Sequence, residues 1–168
     1  RGDSLGPQEA AFIAERDSFY LATVGENGWP YVQHRGGPAG FLKALGPRQI
    51  GYADFSGNKQ YISTGNLLSD DRVSLFLMDY AEQRRLKLWG RAHLVEADDA
   101  PDLVAQLTPA NYRARIERGV IIEVEAFDWN CPQHITPRFT EAQIETMTAP
   151  LRAQLAEARA QLAKLGAI

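Results

Sequence analysis

The sequence holds a single cysteine, Cys131, in 168 residues. One thiol forms no internal disulfide framework and no multi-cysteine metal site, and such sparing use fits a reducing, cytoplasmic compartment. Histidine is scarce as well. His34, His93 and His134 lack the close spacing of metal ligands, so no metal centre is expected. Long apolar runs are missing: no stretch approaches the ~20 residues that span a bilayer. The opening Arg1-Gly2-Asp3-Ser4 does not read as a signal peptide. Basic excess is missing too. A net charge of −3 and a pI of about 5.6 argue against a general nucleic-acid or membrane-surface binder. Ser63 and Ser74 stand outside any Gly-X-Ser-X-Gly context, and no Gly-X-Gly-X-X-Gly turn occurs. The main serine-hydrolase and dinucleotide signatures are thereby removed.

What is present is a core-forming chain. Hydrophobic residues make up 45% of it, and the length suits one domain with a short extension. Residues 7–17 read as a short helix with Pro7 in its first turn. Residues 19–24 and 31–35 read as strands joined through the tight-turn pair Asn27-Gly28. Further strands are expected at 49–54, 72–79, 84–96 and 120–129. Helices are expected over 59–68, with Gly65-Asn66 as a stop, and over 99–107. Six hairpin-linked strands without a βαβ repeat predict a mainly β fold with peripheral helices, a six-stranded antiparallel barrel. In the tail, Thr148-Ala149-Pro150 looks like a helix start. Leu151, Leu155, Ala158, Leu162 and Leu165 then make one helical stripe. The stripe fits a helix docked on its own barrel or one packed on a partner subunit. The expected division is a barrel domain over 1–139 and a helical extension over 140–168.

Three segments carry chemistry. Along 84–96, Leu86, Leu88, Ala92 and Leu94 take one face; Arg85, Lys87, Trp89, Arg91 and His93 take the other. A row of cations is usually a solvated face. With Trp89 among them and a strictly apolar opposite face, it also suits a pocket wall for phosphate, which guanidinium groups chelate in bidentate fashion. The run from Tyr52 to Lys59 joins a strand to a helix start, where free N–H groups and the helix dipole favour an anion and Lys59 adds a full charge. Standing alone, it would read as a surface turn with a solvated lysine. The run from Trp129 to Arg138 gathers an aromatic ring, amides, a histidine and an arginine in an irregular stretch. It serves either binding or a wrapped connector that buries Trp129. Cys131 has no Cys-X-X-Cys partner and reads as a structural thiol.

In order and spacing these segments resemble the pyridoxamine 5′-phosphate oxidase-like superfamily of FMN-binding split barrels, over roughly residues 9–138. The hairpin Phe19-Tyr-Leu-Ala-Thr-Val-Gly-Glu-Asn-Gly-Trp-Pro-Tyr31 looks like that family's first two strands. Tyr52-Ala-Asp-Phe-Ser-Gly-Asn-Lys59 is similar to its Tyr-Thr-Asn-X-X-Ser-Arg-Lys phosphate segment. Asp70-Asp-Arg-Val-Ser-Leu-Phe-Leu77 and Arg84-Arg-Leu-Lys-Leu-Trp-Gly90 look like its next two strands. A subgroup of FMN-dependent enzymes shares Gln-His-Arg-Gly-Gly and Trp-Asn-Cys-Pro-Gln-His-Ile.

The resemblance implies FMN as cofactor. Lys59 matches the phosphate-binding lysine, with Asn58 where an arginine is usual. Tyr52 and Ala53 match residues beside the flavin, and Arg85 falls where a glutamine faces the ring. Trp129 and Arg138 resemble a late tryptophan–arginine pair, one residue closer together here. Gln33-His34-Arg35-Gly36-Gly37 occupies the place of an Arg-X-X-Leu-Leu-Lys motif. Gln33 replaces its arginine and Pro38 its lysine, and Arg35 supplies charge from a shifted position. The family's Arg-Leu-X-X-Arg substrate segment is replaced by the leucine-striped helix, which points away from pyridoxamine phosphate as substrate. The implied activity is that of an FMN-dependent oxidoreductase acting on another small molecule or electron donor. Arg35 or Arg85 is then the cation near the flavin N1/O2 edge, and His34 or His134 a proton carrier. The alternative is a non-catalytic flavin or haem binding or sensor protein on the same fold. No side chain is assigned as catalytic. A homodimer with FMN sites between subunits is implied as well.

Overall fold

The computed structural model describes residues 2–57, 61–110 and 112–165. Alternating apolar residues and tight turns produce seven antiparallel strands. These are β1 (Ser18–Val24), β2 (Pro30–Gly36), β3 (Leu42–Gly46), β4 (Gln49–Phe55), β5 (Arg72–Asp79), β6 (Arg84–Glu96) and β7 (Ile116–Trp129). They form one sheet in the order β2-β1-β5-β6-β7-β4-β3. The helices are α1 (Pro7–Ala14), α2 (Ile62–Ser69), α3 (Pro101–Leu107) and α4 (Glu141–Lys164). The architecture is the mainly β split barrel that the sequence predicts, with one strand more than expected. The extra strand is β3. Its Leu42-Lys43-Ala44-Leu45 run is made of good helix formers and buries only Leu42. Pairing with β4, from Leu42↔Tyr52 to Gly46↔Gln49, decides its conformation where propensity does not.

The inward residues of β1, β5 and β6, among them Phe19, Leu21, Leu75, Leu77, Leu86 and Leu88, are at most 1% exposed and form the core. The predicted alternation of β6 is seen in its burial: Leu86, Leu88 and Ala92 point in and Arg91 and His93 point out, while Arg84 at the strand's start lies against the Phe12 and Trp129 rings. α1 inserts Phe12 and Ile13 into the core, and α2 lies against β1 and β6. α3 covers the outer side of β4 and β7, where Leu107 packs with Ala53 and Ile121. Neighbouring residues of β4 therefore serve different layers: Tyr52 the barrel core, Ala53 the α3 layer.

Three expected boundaries are corrected. Gly65 and Asn66 do not stop α2, which continues to Ser69. Asn66 is held inside the helix by donating from Nδ2 to Thr23 Oγ1 at 2.9 Å. α2 begins at Ile62 instead of Lys59, after Tyr61 in left-handed backbone (φ 46°); residues 59 and 60 lie outside the described residues. The last helix begins at Glu141 instead of near Pro150. Thr140 caps it, its Oγ1 accepting from the Gln143 N–H at 3.2 Å while Gln143 Oε1 accepts from the Thr140 N–H. That reciprocal box outweighs a proline whose missing N–H removes one helical bond. No residue of α4 is buried, so the reading of a helix docked on its own barrel falls. Among the described residues no helix is long and apolar enough to cross a membrane.

The β6–β7 ladder shifts register between Trp89 and Gly90. A Cβ at residue 90 would collide with the Glu123 carbonyl oxygen. Gly90→Ala is therefore expected to cost about 1–3 kcal/mol. Gly46→Ala, where nothing lies within 4 Å of the added carbon, should stay within about 0.5 kcal/mol of the parent. Denaturant unfolding of the two variants side by side checks this.

Candidate functional site

β2 and β3 are the two edges of the sheet, and no backbone ladder joins β2 to β4. Side chains close that seam. Arg35 on β2 donates from Nη1 to Asp54 Oδ1 on β4 at 2.7 Å. Gln33 lies two residues earlier on the same face, and its Oε1 accepts from Ser63 Oγ in the first turn of α2 at 2.7 Å. Both β2 residues take this face because they pair with Phe19 and Leu21, which point into the core. On the other side of Asp54 the β4–β7 register places Arg118 directly opposite. Arg118 reaches Glu96 Oε1 at 3.4 Å and Glu117 Oε2 at 3.9 Å. Its guanidinium also sits 5.8 Å from the Tyr61 ring centroid. Tyr61 donates from its hydroxyl to Glu117 Oε1 at 3.1 Å. Both ends of the β4–α2 connector arrive here, since the Ser56 N–H donates to the Arg115 carbonyl at 2.8 Å.

Burial pushes the Asp54 carboxyl above its ordinary value. Arg35 and Arg118 offset part of that rise, and Glu117 adds to it. Burial likewise raises the Tyr52 phenol, which stays neutral. Among the described residues, three polar atoms of the cluster are buried without a partner: Arg35 Nε, Arg118 Nε and the Tyr52 hydroxyl. Such a group costs about 1–3 kcal/mol when left unpaired, so the seam has donor capacity that no acceptor among the described residues uses. An oxygen-rich anion fits that chemistry. The two guanidinium groups here face three carboxylates, those of Asp54, Glu96 and Glu117. Asn58 and Lys59, the expected phosphate contacts, lie outside the described residues.

The remaining expected site residues do not gather at the seam. His34 points outward and meets the Tyr20 ring edge-to-face at 5.7 Å. Alternation along β2 forbids it from joining Gln33 and Arg35. Arg85 lies on the same outer side, its guanidinium 5.2 Å from the Phe76 ring and its Nε buried with no partner among the described residues. The pairings Tyr20↔His34 and Tyr20↔Phe76 put these rings in one outer row. Trp129 donates from Nε1 to Glu9 Oε1 at 2.7 Å and packs edge-to-face on Phe12, fastening α1 to the barrel. Arg138 is exposed, 5.1 Å from the Tyr80 ring. Ala53 is covered by α3, and His134 is exposed in left-handed backbone. Sequence reasoning missed Arg118, Glu117, Tyr61 and Ser63. Only the strand register, which no local motif reveals, would have set Arg118 opposite Asp54.

A family model described as pyridoxamine 5′-phosphate oxidase matches residues 5–130. Similar solved structures include a putative pyridoxamine 5′-phosphate oxidase from Lactobacillus delbrueckii. It is 20% identical, with 76% of this chain and 95% of that one covered and a TM-score of 0.58. HupZ from Group A Streptococcus is 15% identical, with 80% and 100% covered and a TM-score of 0.59. An FMN-binding protein from Syntrophomonas wolfei is 14% identical, with 71% and 81% covered and a TM-score of 0.52. At such identities the likeness is one of fold. No curated protein sequence matches the chain.

Removing Arg35 would strand Asp54 in the seam, so Arg35→Ala is expected to cost about 3 kcal/mol at neutral pH. The pH dependence has a defined sign. The folded state holds the Asp54 proton more tightly than the unfolded chain, whose ordinary value is 3.8. The stability this contributes is full below 3.8 and is lost as pH rises through the higher folded value. Denaturant unfolding from acid to neutral pH should show that loss in the parent, and Asp54→Asn should remove it from the difference curve.

Proposed function

Because the chain belongs to the pyridoxamine 5′-phosphate oxidase family, we propose that it is an FMN-dependent oxidoreductase of a small molecule, working as a homodimer in the cytoplasm. The observation that carries this reading is the seam: three buried donors with no partner among the described residues, beside the connector whose sequence includes Asn58 and Lys59. A phosphate monoester offers a dianion and several acceptor oxygens. Arg35, Arg118 and Lys59 would hold it, with Tyr52 as a neutral hydroxyl donor. Gln33 and Ser63 keep the edge strand and α2 in register around it. Bound FMN would supply reversible electron transfer; the chain's own residues bind it, orient it and set its electrostatics.

The homodimer reading rests on the outer row. Tyr20 is 42% and Val32 60% exposed on the side that also presents His34, Phe76 and Arg85. A two-fold partner would cover that side reciprocally. Of the late tryptophan–arginine pair, exposed Arg138 is positioned to serve a partner's site, while Trp129 is engaged with α1.

Denaturing release should yield one FMN per chain. Lys59→Ala and Arg35→Lys should each weaken FMN by tenfold or more, the loss of a charge-assisted hydrogen bond worth about 1.5–3 kcal/mol. Unchanged affinity in both variants would place the phosphate elsewhere. Steady oxidation of a reduced nicotinamide by the loaded protein would separate an enzyme from a carrier.

A further inference from the structure

α4 presents an apolar side that no described residue of its own chain buries. Ile144, Met147, Leu151, Leu155, Leu162 and Leu165 are 42–79% exposed, and Ala158 completes their line. Their spacings of three and four residues place them on one stripe. At about 100° per residue, Glu141, Glu145, Arg152 and Arg159 fall along one flank of that stripe. This flank is acidic in the first half of the helix and basic in the second. The opposite flank carries Gln143, Pro150, Gln154 and Gln161, which are uncharged, and Glu157 and Lys164 lie at the back.

We propose that α4 pairs with α4 of a second copy, antiparallel, about a two-fold axis near Ala153. Such an axis sets Leu151 opposite the partner's Leu155, Ile144 opposite the partner's Leu162, and Thr148 opposite the partner's Ala158. The central layers of the stripe then meet apolar or small side chains, while Met147 and Leu165 come level with the partner's Arg159 and the partner's Glu141 on the charged flank. An antiparallel pair also brings like flanks together. Glu145 comes within two residues of the partner's Arg159 along the axis, a rise of about 3 Å. Arg152, close to the axis, is drawn back along its own helix by Glu145 at 2.7 Å, which keeps it from the partner's Arg152. A parallel pair would set the charged flank against the uncharged one and match nothing. Charge complementarity therefore selects a second copy of this chain and the antiparallel sense. The pairing is independent of flavin binding and uses a surface apart from the outer row of the barrel.

The test uses the full chain with the exposed Cys131 replaced by serine and a single spin-labelled cysteine at Ala153 or Ala160. Both positions are exposed and lie behind the stripe. Pulsed dipolar spectroscopy should give a separation at residue 153 typical of two touching helices. The separation at residue 160 should be longer, because its axial offset is about 20 Å in an antiparallel pair. Equal separations at both positions would mean a parallel pair and overturn the proposal. A separation at residue 153 beyond that of touching helices, or no intermolecular separation at all, would overturn it as well. Adding Glu145→Arg should lower the short-distance population several-fold, and Glu145→Arg with Arg159→Glu should restore it. Failure of the double exchange to restore the pair would contradict the charge register.

Discussion

A buried carboxylate has to be answered by a cation, and Asp54 is answered by Arg35 across a gap that no backbone ladder spans. The sheet runs from one edge at β2 to the other at β3, so main-chain bonding alone leaves the barrel open on this side. The ion pair fixes β2 against β4. With β2 fixed, Gln33 meets Ser63 and α2 is seated. With α2 seated and Ser56 held by the Arg115 carbonyl, the connector between β4 and α2 is anchored at both ends. Burial works against the Asp54 charge, and the two guanidinium groups beside it are what retain it. The same packing leaves Arg35 Nε, Arg118 Nε and the Tyr52 hydroxyl without acceptors among the described residues. One constraint thus produces both the closure of the barrel and its unfilled donor capacity.

Strand alternation then sorts the chemistry onto two sides. Gln33 and Arg35 face the seam; His34 faces the outer row with Tyr20 and Phe76. The edge strand is the boundary shared by both regions. FMN has a charged phosphate end and a flat aromatic end, and in the proposed reading these two ends match the two sides of β2. Arg85 adds a cation to the outer side, where it already lies over Phe76.

Much of the fold could be read from the sequence because its signals are local. The alternation of Leu86, Leu88 and Ala92 and the Asn27-Gly28 turn needed no tertiary context. β3 was invisible because its residues favour helix and only β4 makes them a strand. The start of α4 departs from the sequence expectation because Pro150 imitates a first-turn proline, while the Thr140–Gln143 box supplies the actual cap. At the site, Arg35 and Tyr52 stand in motifs legible in the sequence, Gln33–Gly37 and Tyr52–Lys59. Arg118 did not, because its role comes from lying opposite Asp54 across 64 residues of chain. Trp129 went the other way. Its motif suggested a ligand contact, and the structure engages its N–H with Glu9 and its ring with Phe12.

The phosphate site proposed at the seam is probed most directly by the phosphate group itself. Flavin-fluorescence titration of the apoprotein with FMN and with riboflavin isolates it, because the two ligands share a ring and differ only in that group. The account predicts that riboflavin binds at least about tenfold more weakly, the value of a charge-assisted phosphate contact of at least ~1.4 kcal/mol. Equal affinity for the two, or no binding of FMN at all, would contradict it.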